Sequence, residues 1–238
     1  MKISIITPTY NRKHLLQETV ESVKKSLLIP YEDVSWEYII YDDGSTDGTP
    51  ELFQKEQHPN IRYIRNDNNQ GQSKARNEAV KEARGEYLFF LDSDDILLQR
   101  TLYKFAAKAK EFPGAGWFVA DFLHVDENLR YIIGDDYYSW NFKDIGNMLD
   151  SIFKGEHYIQ QNIFIKKSLF INVGMFDPSV KMGEDLDLCV RVLLKGHMPH
   201  ICDFISHLHR VHSSNMSGAV TKDMHVKSAL ELKKKYQS

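Results

Sequence analysis

Residues 87–95 constrain the chain more than any other stretch. Tyr87, Leu88, Phe89, Phe90 and Leu91 form an apolar run, and Asp92, Ser93, Asp94 and Asp95 end it with three carboxylates in four residues. An aromatic-rich run of this length reads as a strand covered on both faces. Carboxylates just beyond such a strand lie at the carboxyl edge of a sheet, where open α/β folds bind their ligands. If the backbone stays extended, Asp92 and Asp94 point the same way. Gathering three carboxylates costs free energy unless a cation sits among them. A divalent metal meets that need, and a phosphate-bearing substrate is the usual reason for a metal there. A solvated acidic turn is the alternative, and the rest of the chain weighs against it.

Around this stretch, strand and helix alternate. Residues 3–7 form a short strand stopped by Pro8, and 14–27 carry Leu15, Val20, Val23 and Leu27 at helical spacing, with Asn11 placed as a cap. A second buried strand at 36–41 runs into the loop 42–48, whose residues 45–47 are placed to cap a short helix at 49–57. A third strand at 61–65, a polar turn at 66–71 and a helix at 72–84 ended by Gly85 lead into the acidic-ended strand. Asp95 is placed to cap the next helix. Right-handed crossovers turn such repeats into a mostly parallel, Rossmann-like central sheet flanked by helices. The turns after the first, second and fourth strands then share one edge.

The second half is less regular. It reads as a helix at 101–112, a strand at 116–125 with 130–133 paired back against it, helices at 144–153 and 167–172 around a short strand at 163–165, and a helix at 184–195 between Gly183 and Gly196. A strand at 199–205, a histidine-rich loop and an amphipathic helix from about residue 222 complete it. No internal repeat, low-complexity tract or linker divides the chain, so a single α/β domain is expected.

Composition removes several classes. With 238 residues, 42% of them apolar and 12% aromatic, the chain can fill a proper core. A net charge of −3 argues against a general nucleic-acid binder. Two cysteines, Cys189 and Cys202, do not make a disulfide framework, and a cytoplasmic setting is expected. The apolar run at 3–6 is too short for a signal peptide, and no stretch approaches a membrane span. Membrane contact is expected to be at most peripheral, at the inner face of the cell membrane.

Four segments carry the chemistry. They are Thr7, Pro8, Thr9, Tyr10, Asn11 and Arg12 after the first strand; Asp42, Asp43, Gly44, Ser45, Thr46 and Asp47 after the second; Asp92, Ser93 and Asp94 after the fourth; and Gly183, Glu184 and Asp185 with the later Arg210, Val211 and His212. In order, spacing and strand context they resemble the family-2 inverting glycosyltransferases of GT-A fold, over residues 1 to about 217. Each motif alone is weak, and the ordered set is strong. The resemblance implies a metal-dependent enzyme that moves one hexosyl or N-acetylhexosaminyl group from a UDP-sugar to a hydroxyl of a carbohydrate or glycolipid, with inversion. Bacterial surface polysaccharide or glycoconjugate synthesis is the implied setting. It also divides the domain into a nucleotide-binding half at 1–98 and an acceptor-binding half at 99–220, followed by the helix at 221–238.

The resemblance carries roles onto individual residues. Pro8 and Thr9, with Tyr10 and Asn11, form the turn that approaches base and ribose. Asp43 accepts the uracil N3–H, with Asp42 the second choice. In the run Gly71, Gln72, Ser73, Lys74, Ala75, Arg76 and Asn77, backbone N–H groups with Lys74 or Arg76 face the diphosphate or base, or Arg76 bridges to Asp42, Asp92 or Asp94. Asp92 contacts ribose or sugar beside Ser93. Asp94 and His212 hold the metal, with Mn2+ favoured over Mg2+ for a mixed carboxylate–imidazole–phosphate shell. His207 and His209 compete with His212. Asp185 resembles the base, beside Glu184 as the residue that positions the acceptor, and the helix dipole favours its ionised form. Arg191 is read as pairing back to a carboxylate.

The chain also departs from the family's processive membrane synthases. Their Gln-x-x-Arg-Trp motif is absent, since no Trp follows Trp140 and only Gln237 follows Asp185. Non-processive transfer is therefore expected. Tyr137, Tyr138 and Trp140 offer a surface to stack on a sugar, or a flap over the core. The lysines of the last helix, with Leu230 and Leu232, suit an anionic membrane, a homodimer interface or an ordinary solvated helix end. Two other readings compete: a non-catalytic nucleotide-sugar-binding protein and a sugar nucleotidyltransferase. The second would normally open on a glycine-rich signature where this chain has Thr-Pro-Thr-Tyr-Asn.

Overall fold

The computed structural model describes residues 1–26, 33–54, 56, 58–133, 142–156, 162–213, 215 and 222–237. The aromatic segment 137–140 therefore lies outside the described residues. In chain order the first elements are β1 (Lys2–Thr9), α1 (Lys13–Ser26), β2 (Ser35–Asp42), α2 (Thr49–Phe53), β3 (Ile61–Arg65), α3 (Gln72–Glu82) and β4 (Tyr87–Phe90). They continue with β5 (Ile96–Leu97), α4 (Thr101–Glu111), β6 (Trp117–Val125), α5 (Ile145–Phe153), β7 (Phe164–Lys166), α6 (Lys167–Asn172), α7 (Glu184–Leu194), β8 (His200–Arg210) and α8 (Lys222–Gln237).

One eight-stranded sheet runs β3-β2-β1-β4-β7-β6-β8-β5. The block β3-β2-β1-β4 is parallel, as is β6 beside β8, while β7 and β5 run antiparallel to their neighbours. The carboxyl ends of β1, β2 and β4 thus meet at one edge, as the strand–helix repeats require.

Period-2 alternation explains why β4 reads as a continuous apolar run. Tyr87, Phe89 and Leu91 join the core under α1 and α4, while Leu88 and Phe90 join the opposite core with α3, α5, α6 and α7. All five are 2% exposed or less. Phe164 of β7 stacks on Tyr87 and Phe105, tying the two halves of the sheet together.

Several boundaries differ from the sequence reading. Pro8 does not stop β1, because Pro8 pairs in register with Tyr41 of β2. Ile6 O accepts from Leu91 N on the β4 side and Thr9 O from Asp43 N on the β2 side, so the missing N–H of Pro8 faces β4. Pairing with β4 has already ended at Ile6, and no ladder bond is lost. The histidine-rich segment is strand rather than loop: His207 and His209 lie opposite Phe122 and His124 of β6. Its alternation is a strand period. β5 is only two residues, too short to leave a sequence signal, and pairs with β8 at Leu208 and His207. α2 stops at Phe53, and Gly48 rather than residues 45–47 takes its N-cap position. The segment 130–133 makes a single bridge, Tyr131 to Val125, instead of a strand.

The turn before β4 shows how closely the backbone is packed. Gly85 N donates to Ser4 Oγ at 2.8 Å, Ser4 Oγ donates to Glu37 Oε1 at 2.7 Å, and Arg84 N donates to the same Glu37 oxygen. A Cβ on Gly85 would lie 2.5 Å from both Ser4 N and Ser4 Oγ. Gly85→Ala is therefore expected to cost about 1–3 kcal/mol through overpacking against the β1 backbone. Urea denaturation with an unchanged m-value would measure it, and wild-type stability would contradict this account of the turn.

Candidate active site at the carboxyl edge of the sheet

The loops after β1 and β2 hold one another. Asn11, with φ 51°, accepts from Thr46 N at 2.7 Å through Oδ1, and its own N–H donates to Ser45 Oγ at 2.9 Å. It is therefore not the cap of α1. Lys13 N at the start of that helix donates to Asp47 Oδ2 at 2.9 Å, so the cap comes from the second loop. Asp42 is fully buried, with Oδ1 accepting from Ser45 N and Oδ2 from the Tyr63 hydroxyl. Asp43 Oδ2 accepts the backbone N–H groups of Gln70 and Gly71, both at 2.8 Å, and its Oδ1 has a long 3.4 Å contact with Asn66 Nδ2. Gly44, at φ 87°, lets this loop approach the Asn68 backbone so closely that a Cβ would lie 3.1 Å from it. Beside these loops, Thr9 Oγ1 is buried without a hydrogen-bond partner.

Past Phe90 the extended backbone ends in a turn closed by Asp95 N to Asp92 O at 3.3 Å. The extended geometry on which a shared direction of Asp92 and Asp94 depends therefore does not persist. Each of the three carboxylates meets a different basic side chain. Asp92 Oδ1 lies 2.9 Å from Arg76 Nη2, Asp94 Oδ2 lies 3.1 Å from His212 Nε2, and Asp95 Oδ1 lies 3.2 Å from His209 Nδ1. Asp95, fully buried, also accepts from Asn162 Nδ2 and Arg210 N. It is a structural anchor and not a helix cap; Arg100, at φ 67°, occupies the N-cap of α4.

Electrostatics sorts the histidines. Burial works against charge on His209, but the Asp95 carboxylate outweighs it and pushes the imidazole up to about 9. Burial drives His207 well below the usual value; it stacks on Phe122 and shares a hydrogen bond with Ser206 Oγ at 2.8 Å. His212 is the histidine that reaches Asp94. Burial opposes ionisation of Asp94, yet the His212 hydrogen bond and the charges of His209 and Arg12 hold its carboxyl below the usual range. Among the described residues no group of three His, Cys, Asp or Glu side chains is arranged to hold a metal. The chain thus offers an oxygen and a nitrogen donor to a cation, whose other positions a ligand would have to fill.

The fourth motif opens α7, with Gly183 at φ 76° as N-cap. Glu184 Oε1 accepts from Gln72 Nε2 and, at 3.1 Å, from Arg76 Nη1. Arg76, 1% exposed, therefore bridges Asp92 and Glu184, and not Asp42 or Asp94. Its guanidinium also lies 5.3 Å from the centre of the Phe176 ring. Asn77 holds the same segment through Nδ2 to Phe176 O at 2.7 Å and Oδ1 from Phe176 N at 3.1 Å. Lys74 is exposed, as is Tyr10, while Ser93 is buried in the acidic turn. Gln72 and Asn77 stood in the quoted run, but the sequence reading gave neither a role. Their signal was polar spacing: Gln72 and Arg76 are one helical turn apart on a face otherwise expected to be apolar.

Asp185 is half-buried, and its Oδ1 accepts from Leu186 N at 2.8 Å. Desolvation, then the charge of Glu184, push its carboxyl up to about 7. The expectation that the helix dipole keeps it readily ionised is thereby corrected, since burial beside a second carboxylate outweighs the helix start. Arg191 pairs with Asp187, as a reading of it as a structural cation requires.

Comparison with known proteins supplies the lineage. The chain is 29% identical over 209 residues to the minor teichoic acid biosynthesis protein GgaA of Bacillus subtilis, covering 81% of this chain and 43% of GgaA. It spans about half the length, or less, of the curated relatives it matches. The structure of S. aureus TarS 1–349 in complex with UDP-GlcNAc superposes with a TM-score of 0.74 at 21% identity, covering 99% of this chain and 73% of that one. The mannosyltransferase PcManGT from Pyrobaculum calidifontis, in complex with GDP-Man and Mn2+, gives a TM-score of 0.64 at 19% identity over 90% of this chain and 58% of that one. These likenesses give the GT-A fold. Residues 4–174, with three of the four motifs, match the model described as Glycosyl transferase family 2, and the chain belongs to that family.

Proposed function

We propose that this chain is a metal-dependent inverting glycosyltransferase that moves one sugar per encounter from a UDP-sugar to a hydroxyl of a carbohydrate or glycolipid acceptor, in bacterial surface polysaccharide or glycoconjugate synthesis. The observation that carries the reading is Asp185. A carboxyl pushed up to about 7 stands at the same sheet edge as Asp92 and Asp94, and Arg76 braces its neighbour Glu184 against Asp92. A general base works best with a pKa near the working pH. TarS with UDP-GlcNAc supports the UDP-sugar, and GgaA supports the cell-surface polymer.

In this reading residues 1–98 bind the nucleotide and 99–220 the acceptor, with 221–238 as a supporting helix. Pro8, Thr9, Tyr10 and Asn11 line the nucleoside, and Thr9 Oγ1 gains from it the partner it lacks. Asp43 receives the uracil N3–H on Oδ1, whereas both oxygens of Asp42 already serve Ser45 and Tyr63. Asp92 and Ser93 meet ribose or sugar, exposed Lys74 faces the diphosphate, and Arg76 sets the position of Asp92. Asp94 and His212 hold the divalent ion, Mn2+ in preference to Mg2+, which when bound neutralises the departing diphosphate. Asp185 takes the proton of the acceptor hydroxyl on the sugar face opposite the leaving group, while Glu184 orients the acceptor. Among the described residues no helix is long and apolar enough to cross a membrane, and the reading places the reaction in the cytoplasm with at most peripheral membrane contact.

A donor screen tests the reading. Purified protein is incubated with Mn2+ and the common UDP-, GDP- and dTDP-sugars, following nucleotide release and thermal shift. One UDP-sugar is expected to respond, with both readouts lost on chelation and in Asp94→Ala; silence across the panel would overturn the assignment. Asp185→Asn is expected to lower UDP release by about 10²–10⁴-fold while keeping the shift induced by UDP. In the wild-type chain release should rise about tenfold per pH unit toward 7 and level above it. Stability should move oppositely. A folded-state pKa above the unfolded value leaves stability intact below about pH 4 and erodes it as pH rises through 7. Asp185→Asn should therefore raise the melting temperature more at pH 8 than at pH 5, and an equal change at both would show that Asp185 is not strained.

A further inference from the structure

α8 meets the start of α7, at the residues just before the helix and again in its first turn. Ser228 Oγ donates to Met182 O at 3.2 Å and lies where a Cβ on Gly183 would meet it at 2.8 Å. Within the first turn, Asp187 is fully buried, as are Leu188 and Val190, and Leu186 is 3% exposed. Its Oδ1 accepts from Lys235 Nζ and from the Tyr236 hydroxyl, each at 2.8 Å, and its Oδ2 from Arg191 Nε at 2.8 Å. Lys235 also reaches Asp177 Oδ2 at 3.0 Å, which closes a cluster of two carboxylates and two cations. Ala229 and Leu232 of α8 are buried beside it.

The partners of Asp187 differ in what they can hold. Arg191 belongs to the same helix, one turn on, so this pair travels with α7 and cannot place it. The second bond of Arg191, from Nη1 to Val173 O, ties the later part of α7 to the end of α6. Lys235 and Tyr236 come from another element and grip the first turn itself. Asp185 and Asp187 are two residues apart, which at 3.6 residues per turn sets them about 200° apart around the helix axis. The carboxylate toward the site and the one anchored behind it are thus opposite sides of a single turn. A buried carboxylate that loses a partner is left uncompensated, and the turn bearing it moves toward water.

We propose that Lys235 and Tyr236 are positioning residues for the reaction: by holding Asp187 from α8 they fix the first turn of α7 and hence the place of Asp185. The role of Asp185 rests on the transferase reading, whereas the grip of α8 on α7 does not. The same geometry makes α8 part of the working domain.

The test compares Lys235→Met, Tyr236→Phe and the conservative Lys235→Arg with the wild-type chain. Three quantities are read: amide exchange over residues 184–188 against that of β6, affinity for UDP, and the rate of UDP release from the UDP-sugar that responds in the donor screen. Lys235→Met and Tyr236→Phe are expected to speed exchange at 184–188 about tenfold or more with β6 unchanged, in the manner of a local opening. They should also lower the release rate about tenfold while UDP affinity stays within about twofold, the pattern of a group acting on the chemical step. Lys235→Arg should recover most of both. Wild-type exchange at 184–188, equal loosening of β6, or faster exchange with undiminished release would each overturn the proposal. A wild-type chain that releases no UDP from any donor would overturn the transferase reading and the catalytic half of the inference together, and exchange alone would then show whether α8 holds α7.

Discussion

Three carboxylates in four residues are an electrostatic problem that the rest of the molecule is arranged to solve. Two like charges about 5 Å apart repel by about 3 kcal/mol at an effective dielectric of 20. Each meets a basic side chain of its own: Arg76 of α3 for Asp92, His212 beyond β8 for Asp94, and His209 within β8 for Asp95. Those side chains lie 16, 118 and 114 residues away in sequence, so pairing the carboxylates of one turn draws together both halves of the sheet. The pairs are unequal in purpose. Asp95 is fully buried and pairs with Asn162, His209 and Arg210, whereas Asp94 is only partly buried and pairs with His212.

α7 repeats the arrangement in its first turn, which holds Glu184, Asp185 and Asp187. Glu184 pairs with Arg76 of α3, and Asp187 with Arg191 of its own helix and Lys235 of α8. Asp185 lies between them, with its carboxyl pushed up to about 7. Leaving one carboxylate of three in an unfavourable place costs stability and yields a group ready to take a proton near neutral pH. The flanking acids tie the turn to α3 and to α8. Arg76 then couples the two acidic clusters, since one guanidinium binds Asp92 and Glu184 at once.

The sequence by itself determined the parallel half of the sheet, β1 to β4. Local patterns suffice there: an apolar run at 87–91, helical spacing in α1, and a glycine where a loop turns tightly, at Gly44. The order of the four motifs followed, and with it the family, because strand-end loops of a parallel sheet meet at one edge whatever lies between them. The pairing of Arg191 with a carboxylate was legible for the same reason, as residues one helical turn apart are neighbours.

Only the tertiary structure decided which charge meets which. Arg76 had three candidate acids and chose Asp92 together with Glu184, 108 residues away; no local rule ranks partners across such a distance. Asn11 looked like a helix cap, yet the second loop outcompeted α1 for it and lent Asp47 in exchange. Asp95 looked like a cap and is an anchor for β8. Of the three histidines, strand register turned His207 and His209 inward and left His212, just past the strand end, for Asp94. The proton affinity of Asp185 belongs to the same class. A helix start predicts a low value, and the long-range packing that desolvates it beside Glu184 raises it. Hydrophobic period and turn chemistry are local and survive in one dimension, whereas burial and charge pairing exist only once distant segments have met.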